Sequence, residues 1–181
     1  MKSGIALLLS VMFIAPVNAN QCFDKAGRDN NIDPLLLMAI GIKESRLRPT
    51  AVNSSNKDKS EDVCTMQINS WHFPKLKKQF NITRDDLLNN PCLCVYTGSW
   101  VLAKIFKQYG KSWNSVGIYN AGTSDKNAGI RKRYSDDIKS IYSVLLARQM
   151  VAEKNRDVES NLSTHSHERK PEQFLPQPGK K

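Results

Sequence analysis

The fold of this chain is indicated by two short segments about twenty residues apart, Glu44-Ser45-Arg46-Leu47-Arg48-Pro49 and Thr65-Met66-Gln67-Ile68-Asn69. The first places a carboxylate near the end of an apolar helix, and the second is a polar-apolar strip that can form one wall of a groove. A carboxyl group that lies against apolar side chains keeps its proton to unusually high pH, because desolvation penalises the charged form. Such a group can act as the general acid that breaks a glycosidic bond. The first hypothesis is therefore an enzyme that cleaves sugars.

The helix that carries Glu44 has a clear start. Asp33 is a good N-cap residue, and Pro34 follows at the first helical position. The pattern predicts a helix through about Arg46, with Leu37, Ile40 and Glu44 on one face. The polar loop after it, residues 49–62, is long for a compact domain, and loops of that length are usually functional.

Helical patterns dominate the rest of the chain. They predict helices over residues 22–29, 91–110 and 112–122, and a last helix from Ser135 to about Met150. Residues 123–133 are expected to form a basic loop, and residues 63–70 support at most one small β-hairpin. The expected fold class is mainly α, of the α+β type.

Both ends of the chain differ from the middle. Residues 1–19 have a basic start, an apolar run and a small-residue cleavage site after Ala19, as in a secretory signal peptide. The apolar run is too short for a stable membrane span. Residues 20–150 are expected to form one domain, and the polar, proline-containing residues 151–181 a disordered tail. We expect the protein in the periplasm.

The positive charge belongs to the predicted domain. The whole chain has a net charge of +10, and residues 20–150 hold 20 Lys and Arg against 12 Asp and Glu. Such a surface attracts an anionic polymer. Nucleic acid is disfavoured because no nucleic-acid-binding module is visible and the chain has an export signal. Bacterial cell wall fits better, and simple solubility is an equally strong explanation.

Four cysteines in an exported chain indicate two disulfides. Cys92 and Cys94 lie two residues apart on a predicted helix, so their side chains diverge by about 200° and each needs a distant partner. Cys22 and Cys64 are those partners, in either of two pairings. A zinc site is disfavoured by the Cys-x-Cys spacing and the scarcity of histidine.

Three motifs occur in a fixed order: Lys43-Glu44-Ser45-Arg46, Met66-Gln67-Ile68-Asn69-Ser70 and Tyr119-Asn120-Ala121-Gly122. In these the chain resembles the lytic transglycosylases related to goose-type lysozyme, especially the small ones encoded with conjugation and secretion machines. The resemblance covers residues 22–148 and implies a lysozyme-like transglycosylase domain. It also implies peptidoglycan glycan strands as substrate and components of a conjugation or secretion apparatus as partners.

The resemblance also implies roles for single residues. Glu44 is the expected catalytic acid, and no metal or organic cofactor is expected. Arg133-Tyr134 resembles the family's approach to its final helix. The residues expected to bind the glycan are Ser45, Asn53, Gln67, Asn69, Tyr119 and Asn120.

One position departs from the family pattern. The family usually has glycine and then an aliphatic residue before Met-Gln, where this chain has Cys64 and Thr65. Cysteine adopts positive φ less readily than glycine. Either the turn is rebuilt around a Cys64 disulfide or the groove is altered. The family's cysteines favour Cys22–Cys92 as the common bridge and Cys64–Cys94 as an addition of this chain.

The expected mechanism uses a single carboxylate. Glycosidases usually have two, but Glu61, Asp62, Asp125 and Asp136 are expected to be solvated charges. One group suffices if the muramoyl 6-hydroxyl attacks and closes a 1,6-anhydro ring. The alternatives are a muramidase that uses water and a catalytically silent scaffold protein of an envelope-spanning assembly.

Overall fold

The structure, a computed structural model, describes residues 19–167, with side chains described for residues 20–160. Almost all of the predicted signal peptide and residues 168–181 lie outside the described residues. The described part consists of helices and a small sheet, which confirms the predicted fold class. The helices are α1 (Ala19–Asn30), α2 (Pro34–Ser45), α3 (Phe73–Phe80), α4 (Arg84–Asn89), α5 (Pro91–Tyr109), α6 (Trp113–Ala121) and α7 (Ala128–His167).

The sheet is antiparallel, with three strands of two residues each where one hairpin was expected. The strands are β1 (Val52–Asn53), β2 (Asp62–Val63) and β3 (Ile68–Asn69), in the order β1-β2-β3. Asp62 lies opposite Asn53 on one side and opposite Asn69 on the other. Since paired residues on neighbouring strands lie within side-chain reach of each other, this register gathers one carboxylate and two amides at one place.

Both ends of α2 are fixed by specific hydrogen bonds. One carboxylate oxygen of Asp33 accepts from the backbone N–H of Leu35 at 2.8 Å, which confirms the predicted N-cap. The other accepts from the hydroxyl of Tyr142 on α7 at 2.6 Å. At the other end Arg46 adopts a left-handed conformation, and its N–H donates to carbonyls of the last turn. The helix therefore ends just after Glu44.

The core lies between α2 and the helices around it. α2 packs against α1, α5 and α7, and α6 packs along α7. Fully buried apolar side chains fill the space between them: Leu37, Ile40, Met66, Ile68, Leu102 and Ile138. Glu44 lies at the edge of this core, one turn beyond Ile40, where apolar packing gives way to a groove.

Both disulfides have the pairing that the resemblance favoured. Cys22–Cys92 joins α1 to α5, and Cys64–Cys94 joins the turn between β2 and β3 to α5. Cys64 has a φ of 64°, so the turn keeps the left-handed backbone that glycine favours. The N–H of Met66 also donates to the sulfur of Cys94 at 3.3 Å. The cysteine therefore keeps the turn and ties it to the core.

The start of α7 corrects one prediction. Residues 123–133 were expected to be a loop, but a 3-10 turn spans Asp125–Asn127 and α7 begins at Ala128 rather than Ser135. Arg131 explains the early start, because its guanidinium donates to the carbonyls of Gly122 and Ser124 at 3.2 and 2.6 Å. The basic side chain thus serves the end of α6 and is almost completely buried.

The end of α7 corrects the prediction that the last helix ends near Met150. The helix does not end near Met150 but continues to His167, so part of the predicted disordered tail is helical. Residues 151–160 are exposed along their whole length. This stretch contains the good helix formers Ala152, Glu153, Lys154 and Arg156, and Gln149 donates to Glu153 in an i,i+4 contact. A domain boundary near Met150 stays a prediction. Among the described residues, no helix is both long and apolar enough to cross a membrane.

The left-handed conformation of Cys64 generates a stability prediction. Two crosslink-free variants, Cys64→Gly/Cys94→Ala and Cys64→Ala/Cys94→Ala, differ only at the residue that holds the positive φ. We expect the glycine variant to be the more stable by roughly 1 kcal/mol, since alanine pays the left-handed penalty and glycine does not. Urea unfolding of both variants measures the difference. An alanine variant as stable as the glycine variant would contradict the left-handed turn.

Candidate active site

A groove of about 850 Å³ runs past the C-terminal end of α2. One side is formed by the sheet and the loop between β1 and β2, and the other by α3, α5 and α6. The side chains that face it are mostly polar, charged or aromatic. They include Glu44, Asp62, Gln67, Asn69, Trp71, Lys75, Trp100, Lys104, Tyr119 and Asn120.

Glu44 is the carboxyl of the groove whose pKa burial raises. Its carboxyl group is largely buried at the end of α2, and Oε1 accepts a hydrogen bond of 2.5 Å from the hydroxyl of Tyr134 on α7. Burial raises the pKa of Glu44 to about 7. The bond from Tyr134 and the charge of Lys43 act in the opposite direction, while the charge of Asp62 raises the pKa further. A carboxyl with this pKa can both donate and accept a proton near neutral pH.

Two tyrosines fix the surroundings of Glu44. Burial raises the pKa of Tyr134 well above its ordinary value, so its hydroxyl stays a donor to Glu44. Burial raises the pKa of Tyr119 in the same way. The Tyr119 hydroxyl donates to the backbone carbonyl of Met66 at 2.9 Å, which ties α6 to the sheet side of the groove. Tyr134 was noted in the sequence only as part of a family motif, without a role.

Asp62 is not the solvated loop charge that was expected. It faces the groove with Glu44, and its carboxylate accepts hydrogen bonds of 2.8–3.1 Å from the side-chain amides of Asn53, Asn56 and Asn69. Two of these asparagines are its strand partners. Sequence alone could not show this, because the three amides meet only once the sheet has formed. The chain therefore has a second carboxylate in the groove.

The structure brings four of the predicted binding residues to the groove: Gln67, Asn69, Tyr119 and Asn120. Gln67 is held there by a bond from its amide to the carbonyl of Cys64 at 3.0 Å. Neither Ser45 nor Asn53 faces the groove. Ser45 is buried, and its hydroxyl donates to the carbonyl of Thr65 at 2.8 Å. The side-chain amide of Asn53 donates to Asp62. Ser45 and Asn53 therefore hold other residues of the site in place and do not line the groove themselves.

Trp71 is a groove residue that sequence reasoning missed. It is 73% exposed, and its indole N–H donates to Asp58 at 3.1 Å, which fixes the ring at the rim. Its exposed ring adds an apolar surface to the rim of the groove. Within residues 19–167, no group of three or more His, Cys, Asp or Glu is placed to hold a metal ion.

Comparison with known proteins assigns this groove to a family. The transglycosylase SLT domain family matches residues 21–142, which include Glu44, the whole sheet and Tyr134. The chain belongs to this family. By that membership it is a peptidoglycan lytic transglycosylase, which is a lyase.

The chain also has relatives of similar length. Invasion protein IagB of Salmonella typhi is 44% identical over 133 residues, which cover 74% of this chain and 81% of that protein. The X polypeptide of Escherichia coli strain K12 is 41% identical over 140 residues, which cover 76% of this chain and 82% of that protein. Protein IpgF of Shigella flexneri is 38% identical over 136 residues, covering 75% and 88%.

A solved structure shares the fold. An inactive glutamate-to-glutamine mutant of the lytic transglycosylase Slt from Pseudomonas aeruginosa superposes with a TM-score of 0.55 at 14% identity. The match covers 76% of this chain, which spans about a quarter of the length of Slt.

The position of Asp62 generates a prediction about pH. Because its charge raises the pKa of Glu44, Asp62→Asn should lower that pKa. The general acid would then lose its proton at a lower pH, so the pH above which transglycosylase activity declines should move in the acidic direction. Cleavage rates measured across the pH range give the pH of this decline for the wild-type protein and for Asp62→Asn.

The matched control is Glu61→Gln, which removes the same charge from the neighbouring residue. Glu61 pairs with Arg84 at 2.7 Å and does not face the groove. In the Glu61→Gln variant, activity should decline above the same pH as in the wild-type protein. An Asp62→Asn profile that coincides with the wild-type profile would show that Asp62 does not act on Glu44.

Proposed function

We propose that this transglycosylase cleaves the β-1,4 bond between N-acetylmuramic acid and N-acetylglucosamine and leaves a 1,6-anhydromuramoyl product. Glu44 acts first as acid and then as base. The observation that supports this best is the position of the Glu44 carboxyl, buried beside the groove with a pKa of about 7 and oriented by Tyr134.

The steps balance without a second protein carboxylate. Protonated Glu44 gives its proton to the bridging oxygen as the bond from that oxygen to the muramoyl anomeric carbon breaks. The Glu44 carboxylate then takes the proton of the muramoyl 6-hydroxyl, whose oxygen forms the new bond to the anomeric carbon. An attacking group within the same sugar has a very high effective concentration, so no water needs to be positioned. Glu44 ends each cycle protonated.

Asp62 is assigned an electrostatic part in this scheme. Positive charge develops on the sugar ring as the bond breaks. A carboxylate held by three amides beside Glu44 is a fixed negative charge in the groove, and preorganised charges of this kind stabilise a transition state.

Asp62 also favours a second candidate function. A muramidase uses one carboxylate as acid and another as nucleophile or base, and the groove contains two. In that case water would open the glycosyl intermediate and the product would have a reducing end. The silent scaffold receives no such support: Cys64 is completely buried, and its turn leaves the groove open.

We further propose that the enzyme acts in the periplasm, where it opens the wall locally for a conjugation or secretion apparatus. This proposal is supported by the predicted export signal and by the 44% identity to a protein named for invasion. The excess of basic residues in the domain suits a polymer that carries peptide carboxylates.

The central test is Glu44→Gln on purified sacculi. Loss of the acid and base should lower the cleavage rate by at least the ~10²–10⁴-fold typical of general acid–base catalysis, while the variant folds normally. Circular dichroism checks the fold, and mass spectrometry of the muropeptides from the wild-type protein identifies the product. Anhydro ends support the proposal, reducing ends support the muramidase, and near wild-type cleavage by Glu44→Gln rules out Glu44 as the catalytic group.

A further inference from the structure

A cluster of basic and aromatic side chains lies in the same groove, on α3 and α5. The Nζ atoms of Lys104 and Lys75 lie 4.3 and 5.8 Å from the centre of the Trp100 ring. Phe80 packs edge-on against Trp100, with ring centres 5.5 Å apart. Lys75, Trp100 and Lys104 all face the groove. We call these three residues the lysine–tryptophan subsite.

The two lysines of the subsite are placed for an anion that the described protein does not supply. Elsewhere, lysines such as Lys25, Lys43 and Lys132 are paired with aspartates at 2.6–3.0 Å. Over residues 20–160, no carboxylate lies within the 4.0 Å of an ion pair from Lys75 or Lys104. Asp58, an acid at the groove rim, accepts hydrogen bonds from Ser60 and Trp71 instead.

The two ammonium groups also crowd each other. The proximity of the Lys75 ammonium is the main cause that lowers the pKa of Lys104, and burial lowers it further. Burial lowers the pKa of nearby His72, and repulsion from both lysines lowers it further. The field at this end of the groove is therefore positive.

Packing onto Trp100 does not account for this arrangement. One lysine stem would cover the ring, and a cation–π contact at an exposed site contributes only ~0.5–1 kcal/mol. A second ammonium beside the first adds repulsion, which a bound anion would relieve.

We propose that the lysine–tryptophan subsite binds the carboxylates of the peptides that glycan strands carry, so that the enzyme selects peptide-bearing strands. The proposal rests on the function proposed above, because it assumes that a glycan strand lies past Glu44. In an intact strand the sugars are neutral and the lactyl group forms an amide, so the peptide carboxylates are the anions within reach. The ring of Trp100 offers an apolar face to the peptide's methylene groups.

The test compares two double variants with the same change in charge. Lys75→Gln/Lys104→Gln removes the subsite cations. Lys78→Gln/Lys107→Gln is the matched control, since these lysines lie on the same two helices, are exposed and do not face the groove. Each pair is made with Glu44→Gln, so that the strands stay intact during binding measurements, and also with Glu44 for cleavage.

Three soluble strands serve as ligands: peptide-bearing strands, strands stripped by an amidase, whose lactyl carboxylates are free, and stripped strands whose lactyl carboxylates have been amidated. We expect Lys75→Gln/Lys104→Gln to bind peptide-bearing strands about 10-fold more weakly, as for a lost charge-assisted contact. Both kinds of stripped strand should bind Lys75→Gln/Lys104→Gln as tightly as they bind the control Lys78→Gln/Lys107→Gln. In the cleavage assay the KM should rise on peptide-bearing strands alone.

Each other outcome overturns the proposal. An equal loss in the control would show that overall charge attracts the strand. A loss on strands with free lactyl carboxylates alone would assign the subsite to that group, and a loss on all three ligands would show a general role in the groove. Binding is measured in the Glu44→Gln proteins, so it gives an answer even if the wild-type enzyme releases no anhydro product and the proposed function fails.

Discussion

The buried carboxyl of Glu44, held by the hydroxyl of Tyr134, is the contact on which the site depends. The two residues are 90 positions apart, and they meet because α2 and α7 pack directly against each other. Burial of a carboxyl group disfavours its charged form, and that cost is what raises its pKa. Hydrogen bonds from Tyr142 to Asp33 at one end of α2 and from Tyr134 to Glu44 at the other hold the two helices in this arrangement.

The side of the groove that the sheet forms depends on neighbouring elements, because a sheet this short is not stable alone. Its strands contain two residues each, so neighbouring elements must hold it in place. The disulfide from Cys64 to α5 and the bond from the Tyr119 hydroxyl to Met66 do this from two sides. Ser45 adds a third link through the carbonyl of Thr65. Once the sheet is held in place, its register brings the side-chain amides of Asn53 and Asn69 within hydrogen-bond distance of the Asp62 carboxylate.

The sequence predicted those parts of the site that depend on local patterns. The cap at Asp33 and the apolar face of α2 placed Glu44 beside the core, and the ordered motifs placed Gln67, Asn69, Tyr119 and Asn120 in one groove. What it missed depends on contacts between distant residues. Asp62 looked solvated because its amide partners meet it only once the sheet has formed. Ser45 was expected to bind the glycan because nothing local shows that its hydroxyl donates to Thr65. Arg131 looked like part of a loop because its carbonyl partners precede α7.

Catalysis by Glu44 requires that its carboxyl group is still protonated near neutral pH. The most direct measurement is an NMR titration of its side-chain carboxyl carbon in the free protein, assigned with the Glu44→Gln variant. The structure predicts a midpoint of about 7. In Tyr134→Phe the midpoint should rise, since the hydroxyl that lowers this pKa is gone. A midpoint close to the ordinary 4.5 of a glutamate would contradict the account, because the groove would then lack a general acid at neutral pH.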